Sequence, residues 1–381
     1  MAVIALIDGE HHPAAVRDAL AGLDLAGVVF CGGEEKLGPG AWPELALDED
    51  PARALRRLAP RAEAVVDLAD EPVLPPSAKL RLAALALHLG LRFESPGLRL
   101  YPPRYEPVAF DGPKLAVIGT GKRTGKTAVA AHWASLLRDP VIVCMGRGGP
   151  AQPTVAEADT SLADLLEVVE GGGHGASDYL EDAVLAGVRT VGCRRVGGGL
   201  TGSPWESNVP AGAALAAGLP GAGELIFEGS GSCIPPVEVD HTVCVIGPGK
   251  AEPLAEYALL RADLLLAHEG AMAPPDAVRF SLHPEPAEPI PAGARVALFT
   301  TGAPACEGVA PEVASANLAR RGALADDLDR AAAAGCDVYL TELKAAAIDT
   351  VARRAAEQGA RVVFVRNRPV GVDDALRGLV E

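Results

Sequence analysis

The sequence predicts an α/β fold with a mostly parallel central sheet. Two observations carry this. Short apolar runs bounded by turn residues recur along the whole chain, and alanine- and leucine-rich stretches of helical length lie between them. The chain has 381 residues, 49% hydrophobic and 22% charged, which is a globular composition long enough for two or three domains.

In order, the strands AVIALI (2–7), GVVF (27–30) and AVVDL (64–68) are expected to alternate with helices over 13–22, 51–59 and 76–90. The proline- and glycine-rich stretch from Ser95 to Pro113 then reads as a linker that closes a small N-terminal α/β domain, residues 1–110. A second unit opens at Lys114. Its expected strands are KLAVIG (114–119), PVIVCM (140–145), RTVGC (189–193), ELIFEG (224–229), TVCVIG (242–247) and DLLLA (263–267), with helices near 127–137, 159–170, 177–187 and 208–218. This is the core, 111–285. Met272 to Pro291 is again proline-rich and reads as a second connection. The region 286–381 adds strands at 295–301, 337–342 and 361–367. The pattern leaves open whether these extend the central sheet or stand apart.

The formal net charge of −16 argues against nucleic-acid or membrane-surface binding, whose footprint is basic. The seven cysteines show no paired spacing, and Cys31, Cys144 and Cys244 sit in apolar runs, so they read as buried thiols of a reducing compartment. The apolar start breaks at Asp8, and no apolar run has membrane-spanning length. A cytoplasmic protein is the expectation.

The loop GTGKRTGKT (119–127) carries the chemistry. It follows an apolar strand and precedes a helix, the context of a phosphate-binding P-loop. Gly119, Gly121 and Gly125 let backbone N–H groups turn inward around phosphate oxygens, and the following helix aims its positive end at the same anion. Lys126 supplies a mobile charge for the β and γ phosphates, and Thr127 a magnesium ligand. Two of the seven lysines lie in this loop. The standard pattern needs glycine five places before Gly125, where Thr120 stands. The fold expected is therefore a P-loop NTPase with a mostly parallel sheet and a small N-terminal α/β domain. Its nucleotide would be held by Gly119, Thr120, Gly121, Thr124, Gly125, Lys126 and Thr127.

The departure at Thr120 resembles the GTDTxxGKT loop of dethiobiotin synthetase, a P-loop enzyme that phosphorylates its substrate. ELIFEGSG (224–231) resembles the strand-end V-E-G-A-G segment of that group, whose glutamate binds magnesium. That likeness makes Glu228 a metal ligand, and a carboxylate closing an apolar strand is costly unless it faces a cation. IDGEHHP (7–13), MGRGGP (145–150), GASDYLEDA (175–183) and TELKAAAID (341–349), taken in order, resemble the cyclic 2,3-diphosphoglycerate synthetase family along the whole chain. His12 stands where that family commonly has tyrosine. The resemblance implies ATP and Mg2+ as cofactors. It also implies closure of the internal phosphoanhydride of cyclic 2,3-diphosphoglycerate, with release of ADP and phosphate. Two other readings stay open: a kinase making 2,3-diphosphoglycerate from 2-phosphoglycerate, and a P-loop nucleotide switch. Many such switches carry a signature lysine where Gly121 stands here.

A substrate with two phosphates and a carboxylate needs converging cations, and arginine's planar fork suits phosphate. Lys122 and Arg123 in the loop are expected to act with Lys126 in catalysis. Arg147, Arg194, Arg195 and Lys344, near strand ends, are expected at the substrate, and Lys250 and Arg366 are further candidates. His174, in a glycine-rich loop, either touches a phosphate, carries a proton, or has no role. Asp178 reads as the first turn of the next helix, and 197–208 as a lid or substrate loop. Asp8, Glu10 and His11 either bind a cation, reach the site from a partner subunit, or shape a turn. A homodimer is the expected assembly.

Overall fold

The computed structural model describes residues 2–37, 42, 47–199, 201–249 and 253–380. It divides into two compact units. The first is built on residues 2–104 and takes in the short pieces 199, 201–203 and 253–262; the second comprises 105–198, 204–249 and 263–380.

In the first unit the predicted elements appear as β1 (Val3–Ile7), α1 (Pro13–Leu20), β2 (Leu25–Phe30), α2 (Pro51–Leu58), β3 (Ala64–Asp67) and α3 (Pro76–His88). Two short strands follow, β4 (Arg92–Ser95) and β5 (Leu98–Leu100), and the sheet order is β2-β1-β3-β4-β5. All five residues of β1 are buried, as expected of a central parallel strand. The first part of the expected linker, 95–100, belongs to this sheet. Pro96-Gly97 is the turn of an antiparallel hairpin, with Gly97 at φ +78°, and strands this short carry no periodicity to read. Asp8 is fully buried. One carboxylate oxygen accepts the backbone N–H groups of Glu10 and His11 and bonds the His11 ring, and the other accepts from the backbone of Asp70. Of the three readings of this segment, the geometry realises the turn.

The second unit runs β6 (Lys114–Gly119), α4 (Lys126–Ala134), β7 (Pro140–Gly146), β8 (Thr154–Ala156), α5 (Leu162–Glu170), α6 (Asp178–Ala186), β9 (Thr190–Val196), β10 (Glu206–Ser207), α7 (Val209–Ala217), β11 (Glu224–Glu228) and β12 (His241–Ile246). After α8 (Glu256–Arg261), which belongs to the first unit, come β13 (Leu264–His268), β14 (Val278–Pro286), β15 (Val296–Phe299), β16 (Val313–Ser315), α9 (Arg321–Ala333), β17 (Val338–Glu342), a π-helix (Ala347–Ala352), α10 (Arg353–Gln358), β18 (Arg361–Val370) and α11 (Asp373–Arg377). One sheet holds the strands in the order β10-β9-β7-β11-β6-β12-β13-β14-β18-β17-β15-β16, with β8 also on β9.

The proline-rich stretch read as a connection contains β14. This strand pairs parallel with β13 through Val278–Phe280 and antiparallel with β18 through Ser281–Pro286, so the C-terminal strands continue the central sheet. The Ala287 N–H bonds the Phe364 carbonyl, so alternate positions 283, 285 and 287 face β18. Pro284 and Pro286 turn their donorless nitrogens the other way, and the ladder loses nothing.

Apolar packing reinforces this continuity. The core around α4, with Val129 and the fully buried Trp133, includes Val372 and Leu376 from the C-terminal end. A second cluster joins Leu165 and Leu180 of α5 and α6 to Leu343, Ile348 and Phe364. That cluster brings the turn after β17 against α6, which matters for the site.

Candidate active site

The loop after β6 is held from several sides. The Thr120 N–H bonds the Val245 carbonyl on β12, and the His268 ring at the end of β13 bonds the Thr124 carbonyl at 2.9 Å. Gly125, at φ +88°, caps α4 in a left-handed conformation that a side chain would resist. Arg123 is also left-handed, at φ +58°, a backbone state that non-glycine residues seldom adopt. Lys126 Nζ donates to the Gly121 carbonyl at 2.7 Å, folding back over the loop. Burial pushes its pKa down, and the charge of Glu228 opposes that.

Beneath the loop lies a group of acids. Glu228 ends β11, and its Oε1 accepts the Thr127 hydroxyl at 2.6 Å. These two oxygens, one hydroxyl and one carboxylate, are the hard donors that magnesium takes. On the other side, Cys144 Sγ of β7 lies 2.9 Å from Glu228 Oε2 and 3.0 Å from Asp182 Oδ2 of α6. A thiol has one proton and cannot donate to both carboxylates at once. Burial pushes Glu228 and Asp182 up, Asp182 well above the usual range, and their charges add to the burial that raises the Cys144 thiol.

Beside them, Glu181 of α6 is buried and its pKa is pushed up to about 7, against the pull of Lys344 at 3.3 Å. Lys344 sits in the turn after β17 and is raised in return, chiefly by Glu181. Ala345, the next residue, has φ +50°, and the π-helix begins two residues on. Strain and a π-turn together are common where a side chain is aimed for function.

The cations converge on the turn that follows Glu228. Ser230 and Cys233 exchange backbone hydrogen bonds, and Gly231 between them has φ +63°. A Cβ at Gly231 would lie 2.6 Å from Arg147 Nη2 and 3.7 Å from both Arg195 Nη2 and Lys122 Cγ. Arg195 is 8% exposed. Its Nη1 donates to the Gly197 carbonyl at 2.5 Å and its Nη2 to the Ser230 carbonyl at 3.0 Å, while its buried Nε has no partner among the described residues.

The remaining candidates are exposed, paired or outside the described residues. Arg194 is exposed while its neighbour Arg195 is buried, because successive strand residues face opposite sides of the sheet. Arg366 pairs with Glu285 at 2.8 Å. His174 is exposed in the loop before α6, and Lys250 lies outside the described residues. Asp178, exposed at the start of α6, is close enough for its charge to act on Lys126, Glu228, Glu181 and Lys344.

The sequence reading missed Cys144, Glu181, Asp182 and His268. A signal existed for two of them. Asp178, Glu181 and Asp182 stand at i, i+3 and i+4, one face of a helix.

Three domain profiles of cyclic 2,3-diphosphoglycerate synthetase match the chain: the N-terminal domain over 2–101, the P-loop domain over 114–261 and the C-terminal domain over 292–368. The chain belongs to the cyclic 2,3-diphosphoglycerate synthetase family. It is 45% identical to the cyclic 2,3-diphosphoglycerate synthetase of Rubrobacter xylanophilus, over 99% of this chain and 96% of that one. It is 36% identical to the Thermococcus gammatolerans synthetase, over 97% of this chain and 94% of that one. Among solved structures, LpxK of Aquifex aeolicus in complex with ATP aligns at 13% identity with a TM-score of 0.42, over 73% of this chain and 91% of that one. The family match places a nucleotide-binding P-loop domain in this chain. Among the described residues no helix is long and apolar enough to cross a membrane.

Proposed function

We propose that this chain is an ATP-dependent synthetase that closes the intramolecular phosphoanhydride of cyclic 2,3-diphosphoglycerate, releasing ADP and phosphate. The observation that carries this reading is the convergence of the Arg147 and Arg195 guanidinium groups, with the stem of Lys122 beside them, on the turn directly after Glu228. Three cations beside a P-loop serve a polyanionic second substrate better than they serve water or a protein hydroxyl.

In the proposed reaction one substrate phosphate oxygen attacks the γ-phosphorus of ATP, and the bond to the β-phosphate oxygen breaks to give ADP. The other substrate phosphate then attacks the acceptor phosphorus and expels the transferred group as inorganic phosphate. Lys126 follows the γ-phosphoryl group, and Lys122 and Arg123 bear on the developing charge. Thr127 and Glu228 would hold Mg2+, which neutralises phosphate charge when bound. Arg147, Arg195 and Lys344 grip the substrate; Arg194 and His174 are peripheral to this group. Lys344, drawn in by Glu181, supplies a cation from the C-terminal part of the sheet.

The same reading takes the protein as cytoplasmic and homodimeric, with no nucleic-acid partner, in keeping with a net charge of −16. Residues 1–110, 111–285 and 286–381 serve as its N-terminal domain, nucleotide core and C-terminal region. Sedimentation tests the dimer. A phosphorus NMR time course with Mg-ATP and 2,3-diphosphoglycerate tests the reaction, with one phosphate released per ring closed. If 2-phosphoglycerate alone drives ADP formation and the phosphoryl group stays on the product, the kinase reading replaces it.

A further inference from the structure

We propose that Cys144, Asp182 and Glu228 form a binding site for a thiophilic divalent cation of the class of Zn2+, Cd2+ or Co2+. The three donor atoms lie within 4.8 Å of one another and all three residues are buried; it is the one such grouping among the described residues. Two further observations point to a ligand there. Asp182 is fully buried, and its Oδ1 has no hydrogen-bond partner among the described residues. The single Cys144 proton is also set between two carboxylates that it cannot serve together. One cation among the three residues removes the conflict at the thiol and gives the buried Asp182 carboxylate a charged partner.

The geometry is close to what such an ion takes. With Zn–S near 2.3 Å and Zn–O near 2.0–2.2 Å, tetrahedral ligands stand roughly 3.5 Å apart. The contacts of 2.9 and 3.0 Å therefore need to open by about half an ångström, which side-chain rotation supplies. The donor set also selects the ion. Magnesium takes oxygen ligands, while a thiolate favours softer ions. On binding, the ion displaces the thiol proton, which leaves to solvent.

This ion would share Glu228 with magnesium, so it would inhibit turnover in competition with magnesium. That consequence rests on the role given to Glu228 above; the site itself does not.

Co2+ titrated into the full-length protein without nucleotide tests the site. A sulfur-to-cobalt charge-transfer absorption is expected, saturating at one equivalent and bleached by Zn2+. Cys144→Ser should abolish it, Cys193→Ser and Cys244→Ser should keep it, and Asp182→Asn should weaken cobalt binding at least tenfold. No band at any cobalt level, or a band that survives Cys144→Ser, overturns the proposal. Should Cys144→Ser fail to fold, Asp182→Asn decides, and unchanged cobalt affinity overturns the proposal. A Cys144-dependent band with no zinc inhibition of turnover upholds the site and counts against Glu228 as the magnesium ligand.

Discussion

Gly231→Ala isolates the cation cluster from the nucleotide loop. The added Cβ would lie 2.6 Å from Arg147 Nη2. Favourable contact between heavy atoms begins near 3.5 Å, so the guanidinium must retreat by roughly 1 Å. The end of a long side chain can do this while the backbone stays put. The fold bears a separate cost: alanine at φ +63° is strained by roughly 1–2 kcal/mol, partly offset by a stiffer unfolded chain. A net loss of about 1 kcal/mol in denaturant unfolding is expected. The effect on function should be larger. A charged hydrogen bond is worth about 1.5–3 kcal/mol, so losing one from Arg147 to a substrate phosphate should raise the KM for 2,3-diphosphoglycerate about tenfold to a hundredfold. The KM for ATP should stay within about twofold, since the three atoms nearest a Cβ at Gly231 belong to Arg147, Arg195 and Lys122 and include neither a loop amide nor Lys126. The assay is steady-state phosphate release with each substrate varied in turn. In an Arg147→Ala background, Gly231→Ala should add little, because the group it displaces is already gone. An unchanged diphosphoglycerate KM refutes the assignment of Arg147, and so does an ATP KM that rises in step with it.

Lys126→Ala and Glu228→Gln should each lower turnover about a hundredfold or more with the far-UV circular dichroism unchanged; near-normal turnover in a folded variant removes that residue's role. Lys344→Ala should weaken diphosphoglycerate at least tenfold while sparing ATP, measured by isothermal titration with a non-hydrolysable nucleotide present, and equal losses for both would refute it. Asp327 tests pH linkage away from the site. Burial opposes its ionisation, but hydrogen bonds from Ser315, Arg330 and Asn317 outweigh that and hold its pKa below 3.8. The native state therefore binds fewer protons than the unfolded one, and the stability this gives is full above pH 3.8 and lost as pH falls through the folded value. Asp327→Asn should cost about 1–3 kcal/mol at pH 7 and flatten the acid limb of the stability curve; an unchanged acid slope refutes the linkage. A chain beginning at Asp111 should still bind fluorescent ATP analogues, because the loop's fixing bonds come from Val245 and His268, and loss of binding would refute that independence.

Local information was enough for the nucleotide loop. Its glycines, Lys126 and Thr127 stand within nine contiguous residues next to the flanking strand and helix, so its chemistry is legible locally even though the bonds that fix it come from Val245, His268 and Glu228. The buried strands were legible for a similar reason: β1, β6, β7, β11 and β12 are apolar runs that only a covered sheet accommodates. Glu228 was readable too, as a charge closing such a run. What the sequence could not show was which distant groups meet. Cys144 looks like one more apolar residue until β7 lies beside β11 and α6 packs across them, which sets its thiol between two carboxylates. Arg194 and Arg195 are equivalent in composition, and only the folded sheet buries one and leaves the other in solvent. Lys344 lies more than two hundred residues from the loop. It reaches α6 because β14 turns from β13 to β18 and carries the C-terminal strands into the same sheet. Side-chain periodicity reports the face of one element, whereas contacts of this kind depend on strand order and register, which only the folded sheet fixes.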